Sequence, residues 1–304
     1  MTEQRQTCTL CPWACGAERD RGEGYCGTTA GLEVASVTLH HGEEPVISGR
    51  DGICNIFFSG CNLRCVYCQN YQISRNSPGR TGPAASLSEL ICRITDLLDQ
   101  GIENIGFVSP SHMVPQVRTL LEELHRRGYS PIVVYNTNAY ERVETLRSLE
   151  GLVDVYLPDL KYMDHELAAR WSGAADYPEV ACAAIREMYR QKGNRLLLTD
   201  SGKLKSGMII RHLVLPGAIA NSIEVFKFLA EEISPRLAVS LMAQYHPTGE
   251  VAEMPPLHRC ITSAEYREVM HRVEDLGFEN GWFQEFASAD CYRPDFTLPS
   301  PFSR

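Results

Sequence analysis

Cys61, Cys65 and Cys68 lie in the run Ile56-Phe-Phe-Ser-Gly-Cys61-Asn-Leu-Arg-Cys65-Val-Tyr-Cys68-Gln-Asn70. Three thiols spaced by three and then two residues, just past an apolar run of strand length, can converge on one metal centre. Three thiolates fill three corners of an iron–sulfur cube and leave one iron without a protein ligand. A cluster needs such an open iron if it is to bind and act on a small molecule. The competing readings are a zinc clip and three unlinked core cysteines; close spacing in a supporting context favours the cluster.

A second group precedes it, in Cys8-Thr-Leu-Cys11-Pro-Trp-Ala-Cys15 and Gly22-Glu-Gly-Tyr-Cys26-Gly27. This stretch has little apolar material of its own, so it is expected to fold around a bound metal as a small cysteine knuckle. Four thiolates at Cys8, Cys11, Cys15 and Cys26 suit tetrahedral zinc and equally suit a closed four-cysteine cluster. Either would be structural or electron-relaying, since no position is left for a substrate. Cys54 falls in the segment of the three-cysteine motif, and Cys92, Cys182, Cys260 and Cys291 are dispersed. A cysteine standing alone is expected to be a small buried apolar residue. His40, His41, Glu43 and Glu44 share one polar loop, which is expected to be solvated rather than metal-binding.

What must position these residues is a repeating pattern that begins at residue 54. Apolar runs of strand length alternate with amphipathic stretches of helix length, the signature of parallel βα units. The pattern predicts strands at Cys54–Ser59, Asn104–Ser109, Pro131–Asn136, Val153–Leu157, Met208–Val214 and Leu237–Met242, after a short strand at Leu32–Leu39. Helices are predicted near 86–100, 113–127, 140–149, 164–172, 178–192, 221–233 and 263–276, the last opening on the cap-like Thr262-Ser-Ala-Glu265. A loop is expected at 193–207. In a (β/α) barrel the loops leaving the C-terminal ends of the strands hold the ligands. The strand exits here are the cysteine motif, Ser109-Pro-Ser-His112, Asn136-Thr-Asn-Ala-Tyr140, Pro158-Asp-Leu-Lys161, Pro216-Gly217 after Arg211-His212, and Gln244-Tyr-His-Pro247. Six distinctive exits on one rim make one site. The expected fold is α/β, an open six-stranded partial TIM-like barrel. It spans residues 51–250, after a cysteine-rich segment at 1–50 and before a C-terminal helix and extended tail at 251–304 that pack on the barrel.

Composition is ordinary for a globular chain of 304 residues, with 44% hydrophobic and 22% charged residues. The net charge of −9 and the scattered Lys and Arg argue against a nucleic-acid surface. No apolar run approaches the length of a membrane span, and Met1-Thr-Glu-Gln-Arg-Gln-Thr7 lacks the apolar core of an export signal. The expectation is a cytoplasmic protein with reduced thiols and no membrane partner.

The cysteine spacing, its flanks and the aromatic Tyr67 before the third cysteine resemble the radical S-adenosylmethionine superfamily. That resemblance implies a [4Fe–4S] cluster on Cys61, Cys65 and Cys68 that chelates the methionine end of S-adenosylmethionine. It implies reductive cleavage to a 5′-deoxyadenosyl radical that abstracts hydrogen, and an electron donor such as flavodoxin or ferredoxin. S-adenosylmethionine needs a cation for its carboxylate and acceptors for its ribose hydroxyls. Asp159 and Lys161, two apart in an extended exit segment, point the same way and suit ribose and carboxylate respectively.

Asp159-Leu-Lys161 and Ile210-Arg-His-Leu-Val-Leu-Pro-Gly217 are similar to segments of the glycyl-radical-enzyme activases. This places Arg211 near the carboxylate and His246, in Tyr245-His246-Pro247, at the ribose. The adjoining Cys8-Thr-Leu-Cys-Pro, Gly42-Glu-Glu-Pro and Tyr156-Leu-Pro-Asp-Leu-Lys segments resemble, with those above, a group often labelled pyruvate formate-lyase activating enzyme-like. One departure stands out. Activases carry a Gly-Gly-Glu segment after the second strand that holds the cofactor's amino group, and this chain has Ser109-Pro-Ser-His112. Ser109, Ser111 or backbone carbonyls must then accept those hydrogen bonds, with Asn136 on the neighbouring exit and Tyr67 or Phe57 beside the adenine, although Phe57 alternates inward and is expected in the core. The substrate implied is a protein or peptide; the alternatives are a small metabolite or, in another class, a zinc-stabilised binding protein without catalysis.

Overall fold

In the computed structural model, residues 7–21, 24–75, 86–286, 288, 293–298 and 300–302 are described. Cys291 and the Gly22-Glu23 pair of the N-terminal segment lie outside them. The strands among these residues are β1 (Val34–His40), β2 (Ile53–Phe58), β3 (Asn104–Val108), β4 (Ile132–Thr137), β5 (Val155–Pro158), β6 (Leu197–Leu198), β7 (Leu204–Leu213), β8 (Ala238–Met242) and β9 (Gly281–Phe283). The helices are α1 (Pro45–Ser48), α2 (Tyr71–Ser74), α3 (Leu87–Leu98), α4 (Val114–Arg126), α5 (Val143–Ser148), α6 (His165–Ser172), α7 (Tyr177–Lys192), α8 (Ile219–Phe228) and α9 (Ser263–Asp275).

Neighbours along the sheet run β1-β2-β3-β4-β5-β7-β8-β9, and every pair from β2 to β9 is parallel. β1 lies antiparallel on the outer edge of β2, so the sheet curls into an open, partial barrel. All six expected barrel strands form, because each apolar run can be covered by a helix on its outer face. The capping boxes Ser86/Glu89 and Thr262/Glu265 start α3 and α9, satisfying backbone N–H groups that have no partner within the helix.

The sheet carries more strand than expected at two places. Part of the expected loop at 193–207 is a hairpin in which β6 pairs with an early start of β7. The tail at 251–304 adds β9, a three-residue strand beside β8. β9 begins at Gly281, with φ of 132° and its missing Cβ 1.9 Å from Val239 O, so only glycine lets it approach β8.

Two cores result. The larger lies between the sheet and its outer helices. The smaller fills the barrel's N-terminal half with Ile53, Val134, Val155, Leu157 and Ile209, plugged by Ile47 of α1. The loop holding Glu43 and Glu44 was expected to be solvated; His41 is exposed, but the two carboxylates are buried, because Arg211 of β7 supplies a buried cation for them. Asn55 of β2 donates to Glu43 Oε1 at 2.7 Å, and it fits because Gly106 of β3 has no Cβ. The C-terminal tail packs on the β1–β2 edge, where Phe302 meets His40 and Phe57 at ring distances of 4.2 and 5.7 Å.

Candidate active site

The three-cysteine loop leaves β2 at the C-terminal rim of the barrel and is held by the end of α6. Gly173, left-handed at φ 74°, stops α6 and leaves its last carbonyls without helical partners. Trp171 O accepts Val66 N–H at 2.9 Å, and Ser172 O accepts Arg64 N–H at 3.2 Å. Cys61 is buried, while Cys65 and Cys68 are half-buried. Burial pushes the thiols up, to about 12 at Cys61 and about 11 at Cys65, and the neighbouring cysteines add to this at both. A metal reverses that preference, since it binds the thiolate.

Each sulfur also receives a side-chain hydrogen bond: Asn138 to Cys61 at 3.6 Å, Ser172 to Cys65 at 3.0 Å and Ser74 to Cys68 at 3.3 Å. Such donors suit thiolates better than thiols. Among the described residues no three His, Cys, Asp or Glu side chains are arranged to share a single metal ion. A four-iron cube holds its ligands farther apart than one ion does, and this donor set of soft sulfurs fits it.

On the β5 exit, Lys161 Nζ and Asp159 Oδ2 pair at 2.7 Å, with both side chains partly exposed. Burial draws the ammonium down, but Asp159 and Cys65 outweigh it, so Lys161 stands above the ordinary lysine value and stays charged. The next residue, Tyr162, meets Tyr67 Oη and Ser172 Oγ, and Ser172 donates to Cys65 Sγ, which brings this exit segment to the cysteine loop. A carboxylate and an ammonium next to three thiols fit the ribose and carboxylate of S-adenosylmethionine.

The other expected contacts are arranged less simply. Arg211 already has two carboxylate partners in the chain. Its Nε and one terminal nitrogen donate to Glu44 at 2.8 and 2.6 Å, and the same nitrogen also donates to Glu43. Burial raises the Glu43 carboxyl, but Arg211 and His40 bring it below the usual range, so it is ionised. Ser111 is fully buried and donates to Glu141 Oε1 at 2.6 Å. Ser109 takes φ 49° and donates its N–H to Asn136 O at 2.7 Å. Tyr67 is buried against Tyr245, and its hydroxyl meets that of Tyr162 at 2.6 Å. His246 Nδ1 lies 3.8 Å from Cys260 Sγ. His212 is buried between Leu160 O and Ser222 Oγ, as a structural histidine would be.

A cavity of about 330 Å³ occupies the barrel's mouth. Gln69 and Asn70, which directly follow Cys68, form one wall, and Asn136 lines it too. Glu43, Glu44 and Arg211 reach it from below, and Phe57, Trp282 and Phe302 add aromatic surface. The burial of this carboxylate pair departs from the solvated loop expected of Gly42-Glu-Glu-Pro, because its counter-ion sits on β7.

In the N-terminal segment, Cys15 and Cys26 sulfurs both lie close to Gly24, at 3.6 and 3.7 Å from where its Cβ would be. Burial pushes the Cys11 thiol up to about 12, with Cys26 and Cys8 adding to it. Trp13 stacks on Tyr25 at 4.1 Å, Tyr25 carries the Arg64 guanidinium at 4.2 Å, and Trp13 Nε1 donates to Asn62 O at 2.7 Å. The N-terminal segment is thereby fastened to the cysteine loop.

The sequence profile described as "Radical SAM superfamily" matches residues 55–241. The chain belongs to the radical S-adenosylmethionine superfamily, whose cofactors are a [4Fe–4S] cluster and S-adenosylmethionine. It is 30% identical to "Uncharacterized protein MJ0674" of Methanocaldococcus jannaschii over 279 residues, 90% of this chain and 76% of that one. Among solved structures it is similar to HydG, a maturase of the [FeFe]-hydrogenase, with a TM-score of 0.52 and 12% identity over 79% of this chain and 53% of that one. It is also similar to Streptococcus suis SuiB bound to precursor peptide SuiA, with a TM-score of 0.50 and 14% identity over 80% of this chain and 51% of that one. The chain thus spans about half the length of these two structures, and at such identities the likeness is one of fold.

Proposed function

We propose that the chain abstracts hydrogen from a protein or peptide segment that enters the barrel mouth. When bound, S-adenosylmethionine at the cluster supplies a 5′-deoxyadenosyl radical by reductive cleavage. Cys61, Cys65 and Cys68 hold the cluster, Lys161 takes the cofactor's carboxylate and Asp159 its ribose diol. The observation that carries the reading is the cavity that starts at Gln69 and Asn70, immediately after the last cluster cysteine. A reacting carbon lodged there lies beside the loop that carries the cluster cysteines.

The mouth suits a peptide in particular. Asn70 and Asn136 bring side-chain amides to the cavity, beside the mutually bonded Gln244 and Gln284, and amides can match the donors and acceptors of a peptide backbone. The volume admits a loop or a chain terminus, not a folded domain. The Ser109-Pro-Ser-His112 departure calls for another acceptor for the cofactor's amino group, and the carbonyls around Ser109 are within the same rim.

The test uses reconstituted protein, S-adenosylmethionine and a strong reductant. Extract from cells grown in deuterated medium is split by size, and 5′-deoxyadenosine is analysed for deuterium. Deuterium delivered by the macromolecular fraction, and lost when that fraction is digested with protease, is the expected result. Deuterium delivered by the small-molecule fraction alone would replace the peptide by a metabolite.

A further inference from the structure

Ser172, Asn138 and Ser74 come from three separate elements, yet each aims one hydrogen at a different motif sulfur. Ser172 ends α6 and is fully buried; Asn138 follows β4 and is nearly so; Ser74 ends α2 and is half-buried. Asn138 divides its two N–H hydrogens between Asn62 Oδ1 at 2.8 Å and Cys61 Sγ at 3.6 Å. Ser172 Oγ donates to Cys65 Sγ at 3.0 Å. Ser74 Oγ donates to Cys68 Sγ at 3.3 Å.

Behind Ser172 stands a chain of hydroxyls. Tyr162 Oη lies 2.8 Å from Ser172 Oγ, and Tyr67 Oη lies 2.6 Å from Tyr162 Oη. Each hydroxyl has one proton. Because Ser172 gives its proton to sulfur, it must accept from Tyr162, which must in turn accept from Tyr67. The direction is fixed, Tyr67 to Tyr162 to Ser172 to Cys65, and buried chains of this kind strengthen each successive bond.

We propose that Ser172, Asn138 and Ser74 tune the reduction potential of the cluster, with Tyr162 and Tyr67 reinforcing the bond from Ser172. The proposal rests on Cys61, Cys65 and Cys68 being the cluster's ligands. A one-electron reduction adds negative charge that spreads over the sulfurs. A donor fixed on a sulfur stabilises the reduced form more than the oxidised form and raises the potential. Three side-chain donors, one per ligand, added to the backbone N–H of Leu63 that reaches Cys61 Sγ at 3.4 Å, make a cluster that is easier to reduce than the same cysteines would give unaided. These are positioning residues: they touch ligand sulfurs, not substrate. The role also accounts for an aromatic residue before the third cysteine carrying a hydroxyl, since Phe at position 67 would fill the same space and lack the proton.

The experiment compares anaerobically reconstituted wild-type protein with Ser172→Ala, Ser172→Thr, Tyr162→Phe and Ser74→Ala. Iron and sulfide per chain are measured first. The midpoint potential follows from a mediated reductive titration, read by the paramagnetic resonance signal of the reduced cluster without S-adenosylmethionine. Ser172→Ala is expected to shift the potential to more negative values at unchanged iron content. Tyr162→Phe and Ser74→Ala shift it less in the same direction, and Ser172→Thr restores the wild-type value. A potential unchanged in Ser172→Ala, or shifted positive, overturns the proposal even if the melting temperature falls, because a packing role alone moves stability and leaves the potential in place. If Ser172→Ala takes up no cluster, Ser74→Ala decides by the same sign. Wild-type protein that binds no iron overturns the ligand assignment itself and the proposal with it.

Discussion

Arg211 and Glu44 meet through two parallel hydrogen bonds, at 2.8 and 2.6 Å, in the floor of the barrel cavity. Both side chains are about nine-tenths buried, and Glu43 shares the same guanidinium. Removing the cation leaves two carboxylates in a space that water reaches poorly. Arg211→Leu is therefore expected to lower the unfolding free energy by ~3–5 kcal/mol, the usual cost of breaking a buried pair from one side. The triple change Arg211→Leu, Glu43→Gln, Glu44→Gln should recover part of that loss. Denaturant unfolding measures both, and an Arg211→Leu loss below about 1 kcal/mol would mean that the pair is solvated after all.

Lys161 is an ammonium brought to the cysteine loop by the β5 exit. If it holds the carboxylate of S-adenosylmethionine, Lys161→Ala should weaken binding by roughly 10–100-fold, the worth of one charge-assisted hydrogen bond. Calorimetric titration of the reconstituted protein reads this directly. Equal affinity in variant and wild type would move the carboxylate elsewhere on the rim.

Glu141 lies fully buried among Ser111, Thr137 and Tyr135, and burial raises its carboxyl to about 7 despite three hydrogen bonds. Its folded value stands above its unfolded one of 4.5, so the unfolded chain binds fewer protons between the two. This group's contribution is complete below pH 4.5 and is lost as pH rises through about 7. By that shift the loss is on the order of 3 kcal/mol. Glu141→Gln, which cannot ionise, should remove this slope and gain stability relative to wild type as pH rises from 5 to 8. His112 and His212, buried and lowered to about 4, act in the opposite sense as pH falls from 6.5, so the comparison of variant with wild type isolates Glu141. A difference that stays constant across that range would show that Glu141 is ionised in the folded protein throughout.

The barrel was legible because its strands are continuous apolar runs, such as Ile56-Phe-Phe and Met208-Ile-Ile, set between amphipathic helices with ordinary caps. The cysteine loop was legible for a different reason: its ligands are close in sequence. Glu43 and Glu44 were not, because a pair of carboxylates before Pro45 looks solvated until its counter-ion is known, and that counter-ion is 167 residues further on from Glu44. The same separation hid the commitment of Arg211. β9 escaped because three residues do not make a periodic pattern, and its place depends on Gly281 fitting against Val239. Ser172 and Ser74 carry no motif at all; only the folded chain brings them to the sulfurs.

The seam that fastens the N-terminal knuckle has a consequence for the order of assembly. Thr9 and Leu10 offer their carbonyls to Arg142 and Thr145, residues 133 and 135 positions later in the chain. A ribosome releases the knuckle long before it releases those partners, so the segment made early must be seated late. The three-cysteine loop lies between the two in the chain and meets Trp13 and Tyr25 across the same seam.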